Sequence, residues 1–192
     1  RRTFLQRGLA GILAAGAAPA FLPASLFGRS APSNRLSIGL VGNGLICSSH
    51  LGTLLGLSDD CRLVATCDVM RSKAEKARDR SGSRATGVAI CDTHDELVAR
   101  DDLDVVFVCT PDHWHAAVSA AAMRAGKDVY CEKPLTLTVR EGRVLSDLAR
   151  RHGRILQTGT QQRSNKSFRK AAEIVRNGWI GDLKVVRTRL GK

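Results

Sequence analysis

The sequence predicts a doubly wound α/β domain, in which helices cover both faces of a parallel β-sheet. Three observations lead to this fold class. Short β-rich runs alternate with longer helical stretches between residues 36 and 160. The run LDVVFVCT at residues 103–110 is almost continuously apolar, as expected of a strand that is covered on both faces. The turn GNG at residues 42–44 separates the first strand from the first helix.

The strands and helices follow one another in strict alternation. The predicted strands comprise residues 36–41, 61–68, 88–90, 103–110, 127–132 and 154–159. The helices between them comprise residues 45–57, 72–80, 93–100, 114–125 and 139–151. Thr93, followed by Glu96, forms a capping pair for the third helix, and Gly126 ends the Ala-rich fourth helix. Right-handed crossovers between these elements collect the turns after the strands at one edge of the sheet.

Residues 1–35 have the composition of an export leader with a linker. Arg1 and Arg2 precede an uncharged, Ala/Gly-rich stretch at residues 8–28. The pattern resembles a twin-arginine signal, which predicts an exported, periplasmic protein. A transmembrane helix or an uncleaved membrane anchor is the alternative, although Pro19 and Pro23 interrupt the stretch.

The net charge of +12 does not by itself predict nucleic-acid binding. Residues 1–35 carry +5 and the remainder +7, and no basic run is interleaved with aromatic residues as a single-strand binder requires. We therefore expect solvated helix faces and no nucleic-acid partner, while an anionic ligand would benefit from the positive field. The six cysteines include no C-x-x-C pair, which disfavours a zinc ribbon, and Cys67, Cys109 and Cys131 are predicted to be small buried side chains.

The glycine turn is suited to hold a pyrophosphate. Gly42 allows a tight turn, Gly44 lets the backbone approach phosphates, and the following helix offers free N–H groups and a partial positive charge. The third glycine of a G-x-G-x-x-G motif would fall at Cys47, so the motif is incomplete and a bare turn is the alternative. The residues predicted to bind a dinucleotide here are Gly42, Asn43, Gly44, Leu45 and Ile46.

Asp68 ends the second predicted strand. It lies 24 residues after Gly44, near the spacing of an acid that binds the ribose hydroxyls of NAD. Its alternative role is to cap the helix that is predicted to start near Ser72. Arg71 follows closely and would instead suit the 2′-phosphate of NADP. The sequence therefore favours NAD and leaves NADP open.

Two further segments are expected at the same edge of the sheet. TPDHWHA, residues 110–116, contains an H-x-H pair without an evident third ligand, so we predict hydrogen bonds near a nicotinamide and no metal, with a structural loop as the alternative. CEKPLT, residues 131–136, places Lys133 just after a strand, where a lysine can remove or relay a hydroxyl proton. Pro134 restricts Lys133 to extended conformations, and Glu132 points to the opposite side. An exposed lysine that merely ends a strand is the alternative.

These segments together carry a family resemblance. IGLVGNG, Asp68, TPDHWHA, CEKPLT and LQTGTQQR occur in an order and spacing that resembles the Gfo/Idh/MocA oxidoreductases, the family of glucose–fructose oxidoreductase and inositol dehydrogenase. The resemblance covers residues 36–192. It implies a Rossmann domain at residues 36–160 that binds NAD, or NADP, and transfers hydride to or from a sugar or cyclic polyol. It also implies a cis peptide before Pro134 and Lys133 as the catalytic residue. The cofactor contacts that it adds to the glycine turn and Asp68 are Thr110, Pro111, His113, His115, Glu132, Lys133 and Arg163.

The resemblance also implies a second α/β domain, with further catalytic residues and oligomer contacts, so we expect the full-length protein to be a homo-oligomer. Residues 161–192 supply one helix and the alternating run LKVVRTRL at 183–190, which predicts the first strand of that domain. No partner strand follows it. We therefore expect a truncated second domain, with the residues that specify the substrate outside the chain and the fragment alone inactive.

Two other functions are compatible with the sequence. A glycosidase branch of the same family keeps NAD tightly bound and uses transient oxidation to permit elimination. A non-catalytic nucleotide-binding remnant would bind the cofactor without turnover. Release of NADH with a simple polyol would distinguish a dehydrogenase from both.

Overall fold

The structure is a computed structural model that describes residues 34–82 and 87–189. The leader predicted at residues 1–35 lies outside the described residues, apart from Asn34 and Arg35, and export stays a prediction of the sequence. Across the described ranges, the model contains no helix with both the length and the apolar character needed to cross a membrane. The compact unit that carries the fold begins at Leu36.

Within the described residues, six parallel strands form one sheet. They are β1 (Leu36–Val41), β2 (Cys61–Cys67), β3 (Ala89–Cys91), β4 (Val105–Val108), β5 (Asp128–Glu132) and β6 (Leu156–Gly159). Their order in the sheet is β3-β2-β1-β4-β5-β6, and every neighbouring pair is parallel. The chain reverses its direction across the sheet between β1 and β4, which is the switch point where folds of this kind bind ligands. The predicted doubly wound fold is confirmed.

A helix follows each strand along the chain. They are α1 (Leu45–Gly56), α2 (Arg71–Asp79), α3 (His94–Val98), α4 (Asp112–Arg124), α5 (Val139–His152) and α6 (Lys166–Arg176), with a 3₁₀ turn at Gln161–Ser164. The predicted cap of the third helix is present, since the Thr93 hydroxyl accepts the Glu96 N–H at 3.1 Å. Thr138 and Glu141 form a complete capping box at the start of α5.

Alternating strand residues divide the core between the two faces of the sheet. Ile38 and Leu40 of β1 pack with Cys47 and Leu51 of α1 on one face. Val41 belongs to the larger cluster on the other face, with α3, α4 and α5. Both faces of the sheet are therefore covered, which explains the nearly continuous apolar character of the central strands.

All six cysteines are buried thiols, as predicted for Cys67, Cys109 and Cys131. Burial, reinforced by neighbouring negative groups, raises the pKa of Cys67 to about 12. Burial also raises the pKa of Cys131, to about 11. A hydrogen bond with Cys47, followed by burial, raises the pKa of Cys109. These thiols therefore act as small apolar core residues at neutral pH.

The prediction of a strand at residues 183–190 is wrong for residues 183–189, which are the part of this range that the structure describes. Residues 183–189 have no regular secondary structure and are exposed. Leu183, Val185 and Val186 have exposed fractions of 57, 65 and 70%. The alternating pattern indicates a preference for extended backbone. A strand forms only where a neighbouring strand supplies the partners for its backbone hydrogen bonds.

Candidate dinucleotide site and adjoining sheet edge

Gly42 occupies a position that only glycine fits. Its φ angle is +86°, and an added Cβ would lie 2.7 Å from the carbonyl carbon and oxygen of Cys109 and from the nitrogen of Thr110. Its N–H donates to the Cys67 carbonyl at 2.9 Å. The turn after β1 is therefore packed directly against the end of β4 and bonded to the end of β2.

Asn43 fastens this turn to β2. Its side-chain amide donates to the Thr66 hydroxyl at 2.8 Å and to the Cys67 carbonyl at 3.0 Å. Its backbone N–H donates to Oδ2 of Asp68 at 2.6 Å. Because these bonds engage both the amide and the backbone N–H, Asn43 shapes the turn, and its predicted direct contact with a dinucleotide stays a prediction.

Gly44 leaves open the space that a phosphate group would need. It is the N-cap residue of α1, with φ −82°, and the helix start has no side-chain cap and no acid in its first turn. An added Cβ at Gly44 would meet no atom within 4 Å. The first N–H groups of α1 therefore face an open approach with a partial positive charge, which is the environment that a pyrophosphate requires.

Leu45 and Ile46 are the first two residues of α1, so their backbone N–H groups are among those without an acceptor inside the helix. The Leu45 side chain is 96% exposed, and Ile46 packs against the core below α1. Cys47, which stands where a third glycine would fall, is 1% exposed and packs in the same cluster. A small thiol thus allows the close packing of helix and strand for which glycine is usual in this motif.

Asp68 holds two backbone N–H groups at the end of β2. Its Oδ2 accepts from Asn43 at 2.6 Å and its Oδ1 accepts from Met70, the N-cap residue of α2, at 2.8 Å. The N-cap of α2 is Met70 and the helix start has no side-chain cap, so the alternative in which Asp68 caps this helix is wrong. Asp68 instead fixes the turn that precedes α2. A carboxylate offers about four acceptor sites, and Asp68 also lines the cleft described next, so both of its roles are compatible.

A cleft of about 460 Å³ opens at the carboxyl ends of β1, β2 and β4. This volume is within the range of small-molecule sites. The predicted site residues that line it are Gly42, Gly44, Asp68, Thr110, Pro111 and His113. The lining residues that the sequence analysis did not identify include Lys73, Asp92, Thr93, His94 and Trp114. The His94 and Trp114 rings lie 5.9 Å apart, so the cleft has an aromatic wall.

The Thr110 hydroxyl is a buried polar atom without a hydrogen-bond partner among the described residues. Native proteins rarely leave such an atom unsatisfied. Thr110 lines the cleft, directly beside the backbone against which Gly42 packs. A bound polar ligand would supply the missing partner, which agrees with a cofactor contact at this residue.

A second cavity of about 360 Å³ lies between α1 and α2 and shares Gly44 and Lys73 with the cleft. Lys76 and Arg80 complete its basic side, and Arg80 donates to the carbonyl of Ser48 at 3.1 Å. The position of Lys73 could not be deduced from the sequence, because it depends on how α2 packs beside α1.

Arg71 and Arg163 are not brought to the cleft lining. Arg71 forms an ion pair with Asp92 at 2.7 Å and a longer one with Glu75 at 3.4 Å. The prediction that Arg71 faces a 2′-phosphate is therefore not supported by this arrangement. Arg163 is exposed in the 3₁₀ turn that follows β6, at the opposite end of the sheet from β2.

His115 is buried instead of facing the cleft. It is 1% exposed, and its Nδ1 lies 2.6 Å from the Pro134 carbonyl while its Nε2 lies 2.9 Å from the Thr110 carbonyl. The ring thus joins the segment after β4 to the segment after β5. This placement argues against the predicted direct contact with a cofactor and favours a role in holding these segments together.

Glu132 forms the centre of a buried cluster at the end of β5. It is 3% exposed, and its Oε1 lies 2.6 Å from Nε2 of His50 in α1. The aromatic rings of Phe107 and Tyr130 stack at 4.7 Å beside His50. Burial, followed by the charge of Glu132, raises the pKa of Tyr130. Glu132 therefore faces the protein interior, which argues against the direct cofactor contact that the family resemblance implied.

Lys133 is the exposed residue that follows this cluster. Its backbone N–H donates to Oε2 of Glu132 at 3.2 Å, and the Lys133–Pro134 peptide is cis, as the family resemblance implied. The sheet order places β5 next to β4, so Lys133 follows the strand adjacent to the cleft. Its side chain is free to face a substrate while Glu132 points inward.

Among the described residues, no three or more His, Cys, Asp or Glu side chains lie close enough together to hold a metal ion. His113 is exposed at the cleft, whereas His115 is buried between two carbonyls. The H-x-H pair therefore places its two rings in different environments.

The sheet order, the open helix start at Gly44 and the carboxylate at Asp68 define a dinucleotide-binding Rossmann domain. The sequence profile described as "Oxidoreductase family, NAD-binding Rossmann fold", that of Gfo/Idh/MocA proteins, matches residues 36–160. The chain therefore belongs to the Gfo/Idh/MocA oxidoreductase family.

Several characterised relatives resemble the chain over the same region. Inositol 2-dehydrogenase of Salmonella typhimurium is 33% identical over 155 residues, which are 80% of this chain and 45% of that protein. The structure of scyllo-inositol dehydrogenase from Lactobacillus casei with bound NAD(H) and scyllo-inositol is 27% identical, with a TM-score of 0.67 over 77% of this chain and 43% of that one. A 3-ketoreductase from Actinomadura kijaniata in complex with NADP is 27% identical, with a TM-score of 0.70 over 78% and 46%. The chain thus spans less than half the length of each of these three proteins.

Proposed function

We propose that this protein is a nicotinamide-dependent oxidoreductase that acts on a hydroxyl-bearing carbon of a sugar or cyclic polyol. The observation that carries the proposal is the juxtaposition of the cleft with Lys133 along one sheet edge. Asp68 follows β2 and Lys133 follows β5, and these strands are three spacings apart, roughly 14 Å. An extended dinucleotide can bridge this distance across the switch point, with its adenosine near Asp68 and its nicotinamide near Lys133.

Within this proposal, each part of the cleft binds one part of the cofactor. The helix start at Gly44 holds the pyrophosphate, Asp68 accepts ribose hydroxyls, and Thr110 supplies a hydroxyl to the nicotinamide half. When bound, the nicotinamide ring supplies the hydride acceptor or donor. Pro111 and His113 complete the wall on the α4 side.

Lys133 moves the proton that accompanies hydride transfer. Oxidation of an alcohol carbon removes a hydride from carbon and a proton from the hydroxyl oxygen, so an acceptor must lie within hydrogen-bond reach of that oxygen. Lys133 is exposed, begins at a fixed backbone position and lies beside the cleft. In the reverse direction the same ammonium returns the proton to the carbonyl oxygen.

NAD is the cofactor that we propose, with NADP as the alternative. The acid at the end of β2 suits the free ribose hydroxyls of NAD. Lys73 lines both the cleft and the basic cavity beside it, where a 2′-phosphate would meet positive charge. Both cofactors are represented among the similar structures, with NAD(H) in one and NADP in another.

The reaction is tested by incubating the full-length protein with NAD and one candidate substrate at a time. The candidates are myo-inositol, scyllo-inositol, glucose and an aryl glucoside. We expect NADH, followed by its absorbance, to accumulate with at least one of the free polyols. NAD binding without NADH formation on any of them would contradict the proposal and favour a non-catalytic nucleotide-binding protein. Release of the aryl alcohol without net NADH would instead favour a glycosidase reaction.

A further inference from the structure

His50 and Glu132 form a contact that joins the cofactor-binding helix to the end of β5. His50 lies in the second turn of α1, and its Nε2 is 2.6 Å from Oε1 of Glu132. An ionised carboxylate only accepts hydrogen bonds, so Nε2 of the ring is the donor. The helix whose start faces the cleft is thus bonded directly to the residue that precedes Lys133.

The contact lies in a pocket built to hold it. The side chains of His50 and Glu132 are 15% and 3% exposed, so the carboxylate depends on its protein partners. His50 makes edge-on contacts with the rings of Phe107 and Tyr130, with centroids 5.8 and 5.2 Å away. These rings restrict the orientation of the imidazole.

Gly159 of β6 supplies the room for this arrangement. A Cβ at Gly159 would lie 2.8 Å from Oε1 of Glu132 and 2.9 Å from the hydroxyl of Tyr130. The carboxylate oxygen that accepts the hydrogen bond from His50 therefore occupies space that the side chain of any other residue at position 159 would fill. Three elements, α1, β5 and β6, converge to hold one carboxylate in one orientation.

We infer that His50 is a positioning residue for Lys133, acting through Glu132; this inference rests on the proposed function of Lys133. His50 fixes Oε1 of Glu132, which leaves Oε2 directed at the Lys133 N–H at 3.2 Å. That bond sets the backbone from which the Lys133 side chain extends. Bonds to charged groups are stronger than neutral ones, so a single donor at His50 can decide the orientation of the carboxylate.

A matched pair of substitutions separates the hydrogen bond from the bulk of the ring. His50→Gln places an amide nitrogen near the original Nε2 and keeps the donor. His50→Asn has a shorter side chain whose amide corresponds to Nδ1 and does not reach Oε1. Both variants are made in the full-length protein, and thermal unfolding is recorded for each to identify any loss of fold.

Two measurements are made on each variant: the turnover number, and the hydrogen exchange of the Lys133 amide, which needs neither cofactor nor substrate. For His50→Asn we expect about a 10- to 100-fold loss of kcat, since a displacement of a reacting group by about 1 Å can cost roughly 10²-fold. We also expect a change of less than about threefold in the KM for NAD and faster exchange at Lys133. We expect His50→Gln to restore most of the kcat and the slow exchange.

Unchanged exchange at Lys133 in His50→Asn would overturn the inference, whatever the activity. Equal losses of kcat in both variants would also overturn it, because the donor would then be unimportant. If the wild type has no turnover on any polyol, the proposed function fails, and the exchange of the Lys133 amide still decides whether His50 positions it through Glu132.

Discussion

Replacing Lys133 with methionine is expected to lower kcat by about 10²- to 10⁴-fold, the usual range for a positioned acid or base. Methionine keeps an unbranched side chain of similar length but cannot accept or return a proton. The affinity for NAD should change far less, because Lys133 does not line the cleft where most of the dinucleotide is proposed to bind. Steady-state kinetics together with calorimetric titration of NAD distinguish these two effects.

Lys166→Met is the control for this substitution. Lys166 is an exposed lysine at the start of α6 and lies outside the cleft lining, so its loss should leave kcat within about twofold of the wild type. If Lys133→Met turns over the substrate at the parental rate from about pH 6 to about pH 10, Lys133 merely ends a strand and the proposed proton transfer is wrong.

The two glycines of the turn after β1 are expected to respond differently to alanine. Gly44→Ala should cost at most about 1 kcal/mol of stability, the usual preference of an N-cap position for glycine over alanine, since its Cβ meets no atom of the described residues within 4 Å. It should weaken NAD binding by at least about tenfold, because the methyl group occupies the approach to the start of α1, and 1.4 kcal/mol is a factor of ten. Gly42→Ala should instead destabilise the fold by at least about 2 kcal/mol, because positive φ and a backbone clash act together.

Thermal unfolding and titration of NAD are measured on both variants. Gly52→Ala serves as the control, because Gly52 lies within α1 and an added Cβ there also meets no atom within 4 Å. In a helix interior alanine is favoured over glycine by about 1 kcal/mol, so this variant should be at least as stable as the wild type and bind NAD normally. Wild-type affinity in Gly44→Ala would show that the cofactor does not approach this turn.

The alternation of strands and helices and the position of the glycine turn followed from the sequence because they depend on local patterns. A few consecutive residues are enough to identify each of these features: an apolar run, a turn that needs positive φ at Gly42, and an acid after the next strand. Their arrangement in one parallel sheet is then constrained by the handedness of the crossovers. The predictions of Asp68 and Thr110 at the carboxyl edge rested on this logic, and both residues line the cleft.

The residues that sequence reasoning misplaced depend on contacts between distant segments. His115 and His113 are two positions apart in an H-x-H pair, yet the former is buried between two carbonyls and the latter is exposed at the cleft. His50 was overlooked, although an imidazole in an otherwise apolar and small-residue helix was a usable signal. Its partner, Glu132, is 82 residues away, and no local pattern connects them.

The alternation at residues 183–190 shows the limit of periodicity most clearly. The pattern of apolar and polar residues is correct for a strand, but the described residues 183–189 are exposed and irregular. Hydrogen bonds in a sheet come from a partner strand, so the pattern is necessary for a half-buried strand and not sufficient.

We propose that the dinucleotide binds at the turn after β1 and the start of α1. Hydrogen exchange of the full-length protein, compared without NAD and with saturating NAD, tests it most directly. We predict slower exchange in peptides that cover residues 42–47 and 110–115, and unchanged exchange in α5, which lies outside the cleft lining. Exchange at residues 42–47 that is unaltered by NAD up to about 1 mM, where even a weak site with a free energy near −4 kcal/mol would be half filled, would contradict the account.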